Sequence, residues 1–243
     1  MLEANARTEP ALNRRARRRN AAASPSQCGR ALVSLALLGV GVGVWLGAGP
    51  QPAAAQASAV RITREAPVVT RTAFDPLHRP RNVPVFGPSE SGLCNAAFEI
   101  ETSIAYSVDP VSRKNVRVRA TGIEVVTRLK LDIYTLEGVP AKVHAHEDAH
   151  RQISEHYYKD AAAVARKLGE PLIGKPFAGK GATPSAAEKD AFAKIVTAYN
   201  DSYFARTRTR SAAANERFDE ITDHGRNPIS EADAIARAIA TDP

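Results

Sequence analysis

The spacing of apolar and polar positions changes twice along this chain, and the changes divide it into parts. Across residues 58–92 the apolar runs are short, Val60 to Ile62 and Val68 to Thr70, and they are interleaved with Pro67, Pro76, Pro80, Pro84 and Pro88. Proline lacks the backbone donor that a helix or ladder needs, so this part is expected to cross the surface as extended chain with little helix. From Ala97 to Tyr134 apolar and polar residues alternate singly, in Phe98 to Thr102 (FEIET), Val116 to Arg119 (VRVR) and Ile123 to Tyr134. A period of two puts every second side chain on one face. These segments are therefore expected to be strands with one buried and one wet face, as in an antiparallel sheet.

Leu136-Glu137-Gly138-Val139-Pro140 ends the alternation, and a period near that of a helix replaces it. Val143, Ile153, Tyr157, Val164 and Leu168 follow that period, with no Gly or Pro from Ala141 to Leu168 and a stop at Gly169 and Pro171. After a Gly- and Lys-rich loop at Lys175 to Thr183, Ser185 and Glu188 form a capping box. A second helix follows, carrying Phe192, Ile195, Val196, Tyr199 and Tyr203 at helical spacing and expected to run on to around Ala214. Ser230 to Asp233 opens a short last helix bearing Ile235 and Ile239. The expected fold is α+β: an antiparallel sheet in the first half, then a long helix packed on a second long helix. Residues 58–243 suit one domain.

Composition alters the picture mainly at the front. Seven arginines among residues 1–57 precede the uncharged stretch Ala31 to Gly49, and Ala53 to Ala57 then offers A-x-A cleavage sites. That order reads as an arginine-rich leader with a secretory signal, which makes the protein exported, periplasmic or secreted. Uncleaved, residues 31–49 are long enough to tether the protein in the inner membrane. Of the formal charge of +7, the leader carries +5 (seven Arg against two Glu), so the remainder is nearly balanced. Nucleic acid is excluded as a partner, because no basic patch with aromatic or helical organisation is left. Arg206, Arg208 and Arg210 read as a solvated helix surface. Cys28 belongs to the leader and Cys94 is then alone, expected as a buried thiol.

The chemistry concentrates in His144 to His156, which holds four of the six histidines. Within it His146-Glu147-Asp148-Ala149-His150 is an H-E-x-x-H pattern, which a random chain of this composition would contain about once in a hundred times. Residues four apart sit one turn above each other, so both imidazoles can reach one metal while Glu147 projects beside them. Two histidines suit Zn²⁺, and the glutamate suits proton transfer from a water at the metal. A catalytic site needs a third protein donor. His156 has the metzincin spacing, yet Ile153 stands where the chain would need glycine to turn, and the only methionine is Met1. His224 is preferred, in Arg217 to Gly225 (RFDEITDHG), with Asp219 or Asp223 orienting an imidazole and Glu216 and Glu220 as alternative donors.

The leader, the strand-rich first half, HEDAH at 146–150 and RFDEITDHG at 217–225 together resemble the bacterial domain of unknown function 922 family, predicted secreted zinc-dependent proteases. The resemblance spans Val60 to the C-terminus. HExxH is common to many zincins and the second phrase is more particular, with Phe218 where the family pattern suggests Tyr. It implies a zincin-like metallopeptidase domain and raises His224 as third ligand, but supplies no substrate. The expected function is an exported zinc-dependent peptidase acting on a peptide or protein, with Glu147 as catalytic base and His146, His150 and His224 as ligands. An edge of the Ile123 to Tyr134 strand would seat an extended substrate. The alternative is an exported metal-binding or structural envelope protein without catalysis.

Overall fold

The longest alternating run becomes the axis of the molecule. The computed structural model describes residues 59–87 and 90–241, and in it β4 (Asn115–Leu136) is the middle strand of a five-stranded sheet. Along one side β3 (Gly92–Ser112) runs antiparallel to it, from Gly92 opposite Thr135 to Ser112 opposite Asn115. Three short strands share the other side. β5 (Pro176–Lys180) is antiparallel at Asn115 to Arg119, while β1 (Val60–Arg64) is parallel at Ile123 to Thr127 and β2 (Val68–Phe74) is parallel at Lys130 to Leu136. β1 and β2 are in effect one edge strand broken at Glu65 to Pro67, where proline cannot donate to the ladder.

This corrects the antiparallel sheet expected from the alternation, and with it the zincin-like arrangement of the first half. The class is α+β, but β1 and β2 run parallel to β4, so the sheet is mixed. Alternation determines which face is buried and says nothing about strand direction. The wet face that suggested antiparallel pairing is present, as a ladder of ion pairs from Arg128 to Glu101 and from Lys130 to Glu99. Both sides of β4 are paired, so the Ile123 to Tyr134 strand has no edge to offer a substrate.

On the inner face Val116, Val118 and Ala120 are buried at even positions, and Ile123, Val125, Leu129 and Leu131 at odd ones. A bulge resolves the change of parity: pairing steps from Tyr106 opposite Ala120 to Ala105 opposite Gly122, leaving Thr121 as the extra residue. Without that insertion every core residue on one side of it would face solvent.

The helices α1 (Ala141–Lys159), α2 (Ala161–Gly169) and α3 (Pro184–Arg206) cover this face, and α4 (Arg208–Thr222) and α5 (Glu231–Ala240) pack against the helices. Both long helices expected from the sequence are divided. The first breaks at Asp160 (φ −96°, ψ 9°), and the second at Thr207 (φ −122°, ψ −83°), whose hydroxyl donates back to Tyr203 O at 2.8 Å. Consequently α1 packs on α4 and α5, whereas α3 lies on β4, β5 and α2. α3 is capped by Thr183 with Pro184 in its first turn, ahead of the expected box at Ser185, and Ser230 caps α5 as expected.

α1 is locked to the sheet by Tyr158, which is fully buried, with its hydroxyl 2.7 Å from Thr127 O and 2.8 Å from Glu65 O. Tyr158→Phe is expected to destabilise the fold by about 1–3 kcal/mol, because a carbonyl at the end of β1 loses its buried donor. Urea unfolding reads that loss, and metal binding by the folded variant should be unchanged. Among the described residues no helix is long and apolar enough to cross a membrane. The leader assigned to residues 1–57 lies outside them.

Candidate metal centre

α1 and α4 face each other with matching polar columns. Along α1 run His146, His150 and Ser154, each four residues from the next, and along α4 run Ser211, Asn215 and Asp219 at the same spacing. Residues four apart share a helix face, so each column presents to the opposite helix. The columns meet in reverse order. Ser211 Oγ lies 3.3 Å from Ser154 Oγ, His150 Nδ1 lies 2.7 Å from Asn215 Oδ1, and His146 Nε2 lies 3.1 Å from Asp219 Oδ1.

At one end the column closes on a point. His146 Nε2, His150 Nε2 and Asp219 Oδ1 form a group that could hold a metal ion. Asp219 Oδ1 is 3.1 Å from each nitrogen, and the nitrogens are 3.3 Å apart. Donors about 2.0–2.1 Å from a tetrahedral cation stand roughly 3.3–3.4 Å from one another, so three donors at these separations outline one face of such a site. Phe218 supports both rings, its centroid 4.9 Å from that of His146 and 5.0 Å from that of His150. His146 Nδ1 is buried with no hydrogen-bond partner among the described residues.

Electrostatics follow from this crowding. Burial alone would raise Asp219, but hydrogen bonds and charge from both imidazoles outweigh it and hold the carboxyl well below the usual range. Burial likewise works against charge on His150, and Asp219 and Asn215 reverse it, leaving that imidazole above its ordinary value. Glu147 is only 5% exposed. Burial pushes its carboxyl up, opposed by His150 and His146. Gly92, the first residue of β3, makes room for it, because a Cβ there would lie 2.5 Å from Glu147 Oε1.

The other candidates from the sequence stand apart from this point. His224 follows the end of α4 in a left-handed run, Asp223 (φ 49°), His224 (φ 51°) and Gly225 (φ 79°), which carries it off the helix. Its ring is 66% exposed, with Nδ1 3.9 Å from Asp219 Oδ1. Asp223 is paired with Arg226 and orients no imidazole. His144 and His156 are exposed on α1, Glu216 lines the nearby cleft, and Glu220 is not among the grouped donors. Asp219, expected only to orient an imidazole, is a donor in the group, and Asn215 joins it as a residue for which no role was expected. The signal for both was the S-x-x-x-N-x-x-x-D spacing at 211–219, the counterpart of H-x-x-x-H-x-x-x-S at 146–154.

The group opens into a cleft of about 1330 Å³ between β3 and the helices α1 and α4. Glu90 to Glu101 line it continuously, and this stretch of β3 pairs only with β4, leaving its other edge open among the described residues. Gly92, Cys94, Ala96, Phe98 and Ile100 form a largely apolar floor. Cys94 is unbridged and partly buried there, its thiol pushed up to about 12 by burial and by the charge of Glu147, which makes it a poor nucleophile. Tyr199 and Tyr203 belong to the core, Tyr199 bonding to Ala165 O at 2.8 Å. No family model, no curated protein and no solved structure matches this chain.

Proposed function

We propose that the protein is an exported zinc-dependent peptidase whose metal is held by His146, His150 and Asp219, with Glu147 as the general base. The observation that carries this reading is the convergence of those three donors beside a buried glutamate at the floor of an open cleft. Two nitrogens and one carboxylate oxygen, with a position left free, form a donor set that suits catalytic zinc. The same set suits ferrous iron; Glu147, one residue after a ligand, favours hydrolysis over oxygen chemistry because it supplies a base for water. The arginine-rich leader and apolar stretch support export, and the resemblance supports the enzyme class.

Bound Zn²⁺ would acidify a water molecule and polarise a substrate carbonyl. The protein's own residues do the rest. Glu147 takes the water's proton on a carboxylate that burial has made more basic, and can then deliver it to the departing amine. The imidazoles keep their ring orientation through Phe218 and Asn215. An extended substrate is placed along the open edge of β3, where main-chain hydrogen bonds would hold it with little side-chain selectivity.

A second reading, a metal-binding protein without catalysis, draws on one observation: His224 stands close enough to Asp219 that a change of side-chain and turn conformation could bring it in as a fourth donor. Structural zinc sites are closed in that way, while catalytic ones keep a position open. Elemental analysis of purified protein, paired with cleavage of a peptide library with and without chelator, decides between them. One equivalent of zinc with chelator-sensitive cleavage is expected. Zinc without cleavage favours the second reading, bound iron overturns the zinc assignment, and no metal defeats both readings.

Gly92 provides a separate check. Gly92→Ala is expected to lower peptide hydrolysis by about a hundredfold, since displacing a catalytic group by on the order of 1 Å costs that much. Bound metal should stay at the wild-type level, because the three atoms nearest an added Cβ all belong to Glu147 and none to a ligand. Activity within about threefold of wild type would show that the position of Glu147 is not critical.

A further inference from the structure

We infer that Asn215 is a positioning residue that commits His150 to the tautomer able to bind metal, and that it does so before any metal arrives. The inference rests on the metal-centre reading for its consequence, though not for its geometry.

Asn215 Nδ2 donates to the carbonyl oxygen of Ser211 at 2.9 Å, a partner that can only accept. Reversing the amide would set its oxygen against that carbonyl, so the side chain is held one way round. Its Oδ1 then faces His150 Nδ1 at 2.7 Å, and an amide oxygen accepts only. Asp219 Oδ1 also accepts, 3.1 Å from His150 Nε2, but it is shared with His146 Nε2 at the same distance, so the shorter and unshared contact to Asn215 places the neutral ring's proton on Nδ1. In the neutral ring that leaves the Nε2 lone pair pointing at the point where Asp219 Oδ1 and His146 Nε2 converge.

The surroundings hold Asn215 in turn. Ser154 and Ser211 lie 3.4 Å from its Nδ2 and 3.3 Å from each other, and Ser154 Oγ donates to His150 O at 3.0 Å. His146 contrasts with this, since its Nδ1 has no partner among the described residues and its one acceptor, Asp219 Oδ1 at 3.1 Å, faces Nε2, the nitrogen that must give up its proton to bind metal. The two imidazoles thus differ: His150 is set in advance, and His146 completes the site by adjusting. An outer-shell acceptor of this kind is generally worth about 10–100-fold in metal affinity.

Nitrogen-edited NMR of the metal-free protein, at a pH well above the imidazole range, reads the tautomer directly, and a zinc competition assay reads the affinity. The wild type should show His150 protonated on Nδ1. Asn215→Ala, or Asn215→Ser should the first fail to fold, should lose that preference and bind zinc about 10–100-fold more weakly. Asn215→Asp retains an acceptor and should keep both the tautomer and affinity within about threefold, whereas a role in packing alone predicts no such rescue. His150 remaining Nδ1-protonated in the alanine or serine variant overturns the inference, as does an unchanged zinc affinity. If the wild type binds no zinc, the metal-centre reading fails, while the tautomer measurement still judges Asn215.

Discussion

Glu147→Gln is expected to lower peptide hydrolysis by about 10²–10⁴-fold while zinc remains at wild-type stoichiometry. The separation is the informative part. Glutamine fills the same space beneath Gly92 and beside His146 and His150, so the ligand cluster and the start of β3 should keep their positions. What it removes is basicity, since an amide oxygen cannot take up the proton of an attacking water near neutral pH. The pH profile carries the same information with a definite sign. Glu147 acts as a base, so the rate falls as the pH drops through its pKa. Burial has raised that pKa above the ordinary carboxylate value, which places the acidic limb of the wild-type profile higher than a solvated glutamate would. A cation at the three donors would pull the limb part of the way back, and the glutamine variant should lack it. A variant within about tenfold of wild type would remove Glu147 from the mechanism.

The sequence revealed the faces of the fold better than its connections. Alternation located β3 and β4 because a half-buried strand must repeat every second residue, and the cluster at 146–150 stood out because one helical turn returns a side chain to the same face. Strand direction was hidden. Val60 to Ile62 and Val68 to Thr70 carry the same pattern whether they run with β4 or against it, and only the completed sheet puts them parallel on the edge opposite β3. Thr121 as a bulge was hidden for a related reason, because its effect is to realign two alternating runs that each look regular alone. The helix breaks at Asp160 and Thr207 depend on local conformations that helical spacing does not report, and the second break supplies α4 as the partner of α1.

The same limit governed the third donor. Asp219 and His224 lie in one phrase, and which of them can reach the histidines is decided by where α4 ends. Helical geometry persists to Thr222, keeping Asp219 in line with Asn215, and the left-handed residues that follow carry His224 toward solvent. The need for a third donor and the resemblance pointed to His224, whereas the facing columns on α1 and α4 bring Asp219 to the convergence point.

Asp219→Ala is therefore expected to weaken zinc binding by at least about a hundredfold, and His224→Ala to leave it within about threefold. The first figure follows from sharing roughly 10–16 kcal/mol of structural-zinc binding among four ligands, which is about 3 kcal/mol, or two decades, for one of them. Stability makes the loss visible without an activity assay. At a free metal concentration of about 100 Kd the wild type gains about 2.7 kcal/mol from binding, and a hundredfold weaker variant at the same concentration gains only about 0.4 kcal/mol. Added zinc should raise the unfolding midpoint of wild type and of His224→Ala, and hardly move that of Asp219→Ala. Loss of the carboxylate also leaves His146 and His150 facing each other without the negative charge that now holds His150 above its usual value. That imidazole should then titrate lower in the metal-free variant, which NMR can follow independently of zinc. The reverse outcome, with zinc lost from His224→Ala and kept by Asp219→Ala, would make His224 the third donor and would require the turn at Asp223 to Gly225 to fold inward when metal binds.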